Sequence, residues 1–242
     1  MLKAKLIILY ILIFVLLALG GFAVFQCFRE SGEDLPDEYI QPDAYVDDVA
    51  SGVEYDFPGL LAQNEDFVGW LNIPDTSIDF PVVQGDNNQY YLDHNFYGDY
   101  NVFGCPFLDT RTPLSGSNLV IHGHNMGNNR TEIFSPLMLY EDPDYAKAHN
   151  IIRFARPDRE EGEYILFAVA NINIYDESLQ YIRSGFETEA ERSEFLSTLQ
   201  QRSLYPTEGI PDGQILILST CNRFYGADNR LLLVAVECGK LS

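Results

Sequence analysis

The residue types best suited to chemistry stand at the two ends of one polar loop late in the sequence. Cys221 follows the apolar run 215–220, and Arg230 precedes the apolar run 231–236, with turn-forming residues between them. This pattern predicts a β-hairpin. In a symmetric hairpin Cys221 lies directly opposite Arg230, with Cβ atoms roughly 5 Å apart. A neighbouring guanidinium favours the thiolate, which is the nucleophilic form of cysteine, and it is also suited to stabilising an oxyanion.

A histidine at the end of another apolar run is the candidate base. His124 follows Gly123 in the segment NLVIHGHNM, residues 118–126. The glycine predicts that the strand stops or bends there, which leaves His124 at the rim of a sheet. His122 is the rival, but its position within the strand favours a packed and hydrogen-bonded side chain. A strand-end histidine, combined with the cysteine and the arginine, favours nucleophilic catalysis.

Cys221 has an alternative role, and Arg230 has an alternative residue for its role. Cys221 has the position of a buried strand cysteine, which is a common structural role for this residue type. Arg223, two residues after the cysteine, is the alternative cation. A loop position constrains a side chain less than the start of a strand does, so Arg230 is favoured.

Several motifs together resemble the sortases, the cysteine transpeptidases of Gram-positive cell surfaces. They are the segment ILSTC ending at Cys221, the arginine nine residues later and a GH motif about a hundred residues earlier. Similarity to class B sortases extends over nearly all of residues 57–237, through the segments WLNIPDTSIDFPVVQGDNNQYYLDHNFYG, FLD, IHGHNM and YIRSGFE. Ile217 replaces a threonine that is usual in the family, and an apolar strand residue there should leave the nucleophile untouched. No lid segment with a DPW or DPF motif precedes the barrel region, which argues against the pilin-polymerising class C type.

The residue patterns and the resemblance lead to the same fold class. Strand signals lie at residues 78–84, 103–108, 119–124, 151–155 and 164–174, and with the final hairpin they predict seven or eight strands in one mainly β domain beginning near residue 57. Helices are expected at residues 60–68, 135–140 and 188–202, the last with a Thr188–Glu191 capping box, and a turn at residues 89–93. The resemblance implies a closed eight-stranded sortase-type β-barrel with a few peripheral helices, one of them between the sixth and seventh strands.

The resemblance also implies a mechanism and a peptide groove. Cys221 would attack the carbonyl of a threonine in a sorting-signal peptide, His124 would act as acid and then as base, and Arg230 would hold the oxyanion. The acceptor would be an amine of a peptidoglycan crossbridge. The positions that match the class B peptide groove are Asn88, Leu92, Tyr181, Ile182, Ser219 and Thr220, and ordinary loop packing is the alternative for each.

Two other functions remain open on the sequence. A membrane-anchored cysteine peptidase would use the same three groups with water as the acceptor. A non-catalytic binding barrel on the cell surface would use the cysteine only as a structural residue. Dependence on an amine separates the first from a transpeptidase, and insensitivity to thiol alkylation would favour the second.

The N-terminal part predicts a membrane anchor and a tether. Residues 6–25 form an uninterrupted apolar run that is long enough to cross a bilayer as a helix. Lys3 and Lys5 precede it, which predicts a cytoplasmic N-terminus at residues 1–5 and a catalytic domain outside the cell. Residues 26–56 are expected to be an acidic extracellular tether, because 30–56 hold ten acidic residues and no basic residue.

Charge and ligand types exclude some partners. The formal net charge of -21, from 36 acidic and 15 basic residues, argues against a nucleic-acid partner. The loop carboxylates match no EF-hand spacing and are expected to be solvated, so we expect no metal and no cofactor; they are Asp86, Asp93, Asp99 and Asp109. A bridge between Cys105 and Cys238 is possible, and sequence cannot decide its formation.

Overall fold

Eight strands close into one barrel in the computed structural model, which describes residues 45–46, 54–127, 130–207 and 209–238. The strands are β1 (Phe67–Asn72), β2 (Asp79–Val83), β3 (Phe107–Leu108), β4 (Asn118–His122), β5 (Ile151–Arg156), β6 (Arg159–Asn173), β7 (Ile215–Cys221) and β8 (Asn229–Glu237). Their order around the barrel is β8-β6-β5-β1-β2-β3-β4-β7, with β7 closing onto β8. The β2–β3 and β4–β7 pairs are parallel and the others are antiparallel. The predicted closed eight-stranded barrel is confirmed.

One helix precedes the first barrel strand, and the other helices lie in connections between strands. The helices are α1 (Phe57–Gln63), α2 (Pro143–Ala148) and α3 (Glu189–Arg202), with 3-10 segments at Tyr90–Leu92, Ser135–Glu141 and Arg223–Tyr225. Helix α3 connects β6 to β7, as expected, and the side chain of Thr188 caps it by accepting a hydrogen bond from the backbone N–H of Glu191. Phe195, Leu196 and Leu199 of α3 join the apolar core with strands β6, β7 and β8.

Strand β1 is the main departure from the sequence prediction. The helix expected at residues 60–68 ends at Gln63, and Phe67 and Val68 already belong to β1. Trp70 and Leu71 are adjacent in the strand, and both are buried. A strand that is buried on both faces lacks the alternation of apolar and polar residues by which most strands are recognised. The strand expected at residues 103–108 is likewise shortened to Phe107–Leu108.

Gly69 allows β1 to pack tightly against β5, and its replacement by alanine is expected to destabilise the barrel by roughly 2 kcal/mol. An added Cβ atom would lie 2.6 Å from the carbonyl oxygen of Ala155 and 2.7 Å from the ring of Phe154. Gly85→Ala is the matched control, because its Cβ would meet only side-chain atoms, the nearest in Tyr91 at 3.1 Å. Urea unfolding measures both variants, and equal losses of stability would contradict the packing argument.

The predicted transmembrane segment 6–25 and most of the predicted tether 26–56 lie outside the described residues. Within the part of the chain that the structure describes, no helix is long and apolar enough to cross a membrane. Tyr45–Val46 and Glu54–Tyr55 form a two-residue antiparallel pair. The ring of Tyr55 lies 5.5 Å from the ring of Trp70, so contact with the barrel core begins just before α1.

The position of β7 in the barrel determines what meets at one rim. It lies between β4, to which it runs parallel, and β8, to which it runs antiparallel. The carboxyl ends of β4 and β7 and the amino end of β8 therefore lie side by side. Cys221 and Arg230 lie at two of these strand ends, and His124 lies two residues beyond the third.

Candidate active site

The hairpin of β7 and β8 places Cys221 and Arg230 directly opposite each other, in the register that the sequence predicts. Both residues are partly exposed, and Cys221 is a free thiol. The guanidinium of Arg230 donates from Nη1 to the backbone oxygens of Ala227 and Asn229, each at 3.0 Å. A guanidinium has five N–H groups, so these two bonds leave Nε and Nη2 as further donors. Arg223 is exposed in the 3-10 segment and lies outside the strand pairing.

The parallel pairing of β4 with β7 brings His124 beside the cysteine. The last paired residues are His122 and Ser219, and the ladder continues with a 3.2 Å bond from the N–H of Gly123 to the oxygen of Ser219. Two residues beyond the His122–Ser219 pair the two chains reach His124 and Cys221. Neighbouring strands are about 5 Å apart, so the backbones of His124 and Cys221 lie close together at this end of the barrel.

The imidazole of His124 is oriented by a backbone carbonyl. Its Nε2 atom lies 2.7 Å from the oxygen of Leu92. A carbonyl can only accept a hydrogen bond, so Nε2 carries a proton in this arrangement. The Nδ1 atom is then the unprotonated ring nitrogen of the neutral imidazole, which can accept a proton. Leu92 thus contributes its backbone to the site in a way that its apolar side chain gave no reason to expect.

His122 binds a buried carboxylate. Its Nε2 atom lies 3.0 Å from Asp109 Oδ2, and Arg111 donates to the same carboxylate from Nε and Nη2, both at 2.8 Å. Asp109 is completely buried, which corrects the expectation of a solvated loop carboxylate. Burial by itself raises the pKa of Asp109, but the bonds from Arg111 and His122 outweigh it and hold the pKa well below its usual range. The predicted role of His122 as a packed, hydrogen-bonded histidine fits this cluster.

Asp109→Asn is expected to lower the free energy of unfolding by roughly 2 kcal/mol at pH 7, because charge-assisted hydrogen bonds are lost in a buried site. The native pKa of Asp109 is depressed below the unfolded value of about 3.9, so this stabilisation is complete above about pH 4 and declines as the pH falls further. Urea unfolding at pH 7 and pH 3 measures the effect. If the difference in free energy of unfolding between wild type and Asp109→Asn were as large at pH 3 as at pH 7, this account of Asp109 would be contradicted. Arg111→Gln is also expected to destabilise the protein, because it removes two charge-assisted donors from the buried carboxylate.

Three of the predicted groove residues lie in the carboxyl end of β7 or against it. The hydroxyl of Tyr181 lies 3.3 Å from Ser219 Oγ, and both residues are buried. Burial raises the pKa of Tyr181, which keeps its hydroxyl protonated and able to donate. Thr220 is also buried, and its hydroxyl donates to the backbone oxygen of Gly123 at 2.8 Å. Its visible role is to connect β7 to the residue before His124.

The other three predicted groove residues have separate surroundings. Ile182 is partly buried and packs against the core, and Leu92 is partly buried beside His124. The side-chain oxygen of Asn88 accepts from the N–H of Thr110 at 2.9 Å, which fixes its amide. A surface cavity of about 410 Å³ opens next to Tyr181 and Ile182. Its other lining residues are Arg111, Ile174, Tyr175, Asp176, Glu177, Leu179 and Gln180.

The described cysteines differ sharply in their surroundings. Cys105 is buried, and burial raises the pKa of its thiol. Cys238 is exposed, and both are free, so the possible bridge between them is not formed. Among these described cysteines, Cys221 alone combines partial exposure with an arginine across the hairpin. It is therefore the thiol suited to nucleophilic attack.

A family comparison agrees with this arrangement. Residues 71–238 match the family model described as a sortase domain, which covers seven of the eight barrel strands and the end of β1. The chain belongs to the sortase family. It is a cysteine transpeptidase, and its relatives place it with class B.

The sortase is similar over most of its length to curated and solved relatives. Sortase B of Listeria monocytogenes is 31% identical over 186 residues, which is 74% of this chain and 72% of the relative. Sortase B of Staphylococcus aureus is 28% identical over 250 residues, which is 99% of each chain. A Staphylococcus aureus sortase B–substrate complex has a TM-score of 0.68 at 28% identity and covers 77% of this chain and 85% of that structure. A sortase B complexed with triglycine has a TM-score of 0.67 at 28% identity, covering 77% and 86%.

Proposed function

We propose that this class B-like sortase cleaves a sorting-signal peptide after threonine and transfers the new carboxyl end to a peptidoglycan amine, with Cys221, His124 and Arg230 as its catalytic residues. The single observation that carries the assignment is the arrangement around β7. The nucleophile ends the central strand, the histidine follows the parallel neighbour, and the arginine begins the antiparallel neighbour.

The first half of the reaction forms a thioacyl enzyme. The thiol proton of Cys221 moves to Nδ1 of His124, and the sulfur attacks the carbonyl carbon of threonine. Arg230 stabilises the oxyanion of the tetrahedral intermediate. The carbon–nitrogen bond then breaks, and His124 returns its proton to the departing amine.

The second half transfers the acyl group. An incoming primary amine gives a proton to Nδ1 of His124 as its nitrogen attacks the thioacyl carbon. The carbon–sulfur bond breaks, and Cys221 recovers its electron pair and the proton. Water is the competing acceptor, and its attack yields a free carboxylic acid.

The proposal also includes a binding site for the peptide, formed by the predicted groove residues. We propose that Asn88, Leu92, Tyr181, Ile182, Ser219 and Thr220 line the peptide groove. Tyr181 and Ser219 form a polar pair there, and the solved sortase B–substrate complex shows that this fold binds a substrate in a relative. We further propose that residues 6–25 anchor the enzyme in the cell membrane, with residues 1–5 in the cytoplasm, residues 26–56 as a tether and residues 57–242 outside the cell.

The proposal is tested with the full-length enzyme in detergent micelles and a quenched-fluorescence library of sorting peptides. Each peptide is incubated with and without triglycine, chosen because a related sortase B has been solved in complex with triglycine. We expect cleavage with a triglycine-linked product by mass spectrometry, and loss of both after iodoacetamide treatment. Cleavage that yields only free acid with triglycine present would instead favour the peptidase. Absence of any alkylation-sensitive product would favour the binding barrel.

A further inference from the structure

Side chains continue the connection between β4 and β7 beyond the last paired residues. The hydroxyl of Thr220 donates to the backbone oxygen of Gly123 at 2.8 Å. One step further, the side-chain Nδ2 of Asn125 donates to the backbone oxygen of Cys221 at 2.9 Å. Gly123 and Asn125 are the residues before and after His124, so the histidine is bracketed by two bonds to the strand that carries the nucleophile.

The amide of Asn125 is fixed at both ends. Its Oδ1 accepts from the N–H of Gly127 at 2.9 Å, while its Nδ2 faces the carbonyl of Cys221. An N–H needs an acceptor and a carbonyl needs a donor, so only one orientation of the amide satisfies both. The backbone of Asn125 also forms a bridge with Ile133, and the residue is only 9% exposed. The amide is therefore held rigidly and shielded from water.

We propose that Asn125 is a positioning residue for acyl transfer, which sets the separation of His124 and Cys221 by binding the backbone of the nucleophile. The proposal rests on the function proposed above. The backbone oxygen of Leu92 binds the imidazole of His124, and the side chain of Asn125, the next residue, binds the backbone oxygen of Cys221. Without this bond the histidine segment and the end of β7 can separate. Misplacement of a catalytic group by about 1 Å lowers a rate by about a hundredfold.

Asn125→Asp is the sharpest test, because it keeps the shape and the acceptor for Gly127 but replaces the donor facing Cys221 with an acceptor. Asn125→Ala removes the donor without adding charge. We expect kcat for peptide cleavage to fall about 10- to 100-fold in both variants, while KM changes by less than about twofold. Wild-type kcat in the alanine variant would overturn the proposal, since the loss in the aspartate variant would then come from its charge.

Asn64→Asp is the control variant, in the connection between α1 and β1. The Nδ2 of Asn64 likewise donates to a backbone oxygen, that of Phe96 at 2.7 Å, and its Oδ1 accepts from the N–H of Asp66 at 2.9 Å; Nδ2 also donates to the hydroxyl of Tyr91 at 3.0 Å. We expect this variant to lose stability with kcat and KM unchanged. An equal loss of kcat in both aspartate variants would show that general destabilisation is responsible.

Alkylation of the thiol separates this proposal from the proposed function. The rate and pH profile of Cys221 alkylation by iodoacetamide, followed by peptide mapping, are expected to change in the Asn125 variants and not in Asn64→Asp. Failure of the wild-type enzyme to cleave any peptide would overturn the proposed function. If the wild-type enzyme does cleave peptide but the Asn125 variants show the wild-type alkylation profile, only the role of Asn125 is overturned. Circular dichroism melting confirms that each variant is folded at the assay temperature.

Discussion

Cys221→Ala is expected to abolish peptide cleavage and amine transfer, with a fall in kcat on the order of 10⁵-fold or more, because it removes the sulfur that we propose forms the thioacyl bond. The fold should survive, since Cys221 is a partly exposed free thiol at the end of β7. Chromatography with mass detection of cleaved and amine-linked peptides measures the effect, and thermal melting checks the fold.

Cys238→Ala is the matched control for this prediction. Cys238 is exposed, free and located after the end of β8, so its replacement is expected to leave kcat and KM unchanged. Amine-linked product formed by Cys221→Ala above the background without enzyme would contradict the assignment of the nucleophile.

Arg230→Gln has the second largest expected effect, a fall in kcat of about 10²- to 10³-fold with a smaller change in KM. Glutamine retains polar atoms but loses the positive charge that we propose stabilises the oxyanion, and such stabilisation acts mainly in the transition state. Steady-state cleavage of the peptide identified for the wild type measures both constants. Arg230→Lys keeps a positive charge but lacks the planar set of donors of a guanidinium. Its kcat is expected to lie between those of the wild type and Arg230→Gln.

Arg223→Gln provides the comparison that decides between the two arginines. Arg223 is exposed in the loop, whereas Arg230 pairs directly with Cys221. We therefore expect Arg223→Gln to retain nearly all of the wild-type kcat. A larger loss from Arg223→Gln than from Arg230→Gln would transfer the oxyanion role to the loop arginine.

The hairpin pairing of the site was predictable because it is local. The two strands are adjacent in sequence, and the turn residues lie between them, so symmetry alone places Cys221 opposite Arg230. The position of His124 needed a further step. Gly123 marks the end of its strand, but only the parallel pairing of β4 with β7 shows which strand it joins. That pairing connects segments about a hundred residues apart, so no turn between the two strands could predict it from the sequence.

The features that sequence reasoning missed depend on burial and long-range contact. Strand β1 was hidden because both of its faces are covered, which removes the polar alternation. Asp109 resembled a solvated loop carboxylate until the structure placed His122 and Arg111 against it. Asn125 adjoins His124 in the quoted motif, yet its role becomes visible only when its amide is seen to reach the carbonyl of Cys221.

The thioacyl enzyme tests the central claim most directly. Full-length enzyme is mixed with its cleaved peptide in the absence of an added amine, quenched with acid during turnover, and digested for peptide mapping by mass spectrometry. We predict an adduct on Cys221 whose mass equals the acyl part of the peptide ending in threonine, and its loss when triglycine is added before the quench. Turnover without such an adduct in early time points, or an adduct on another cysteine in place of Cys221, would contradict the proposed mechanism.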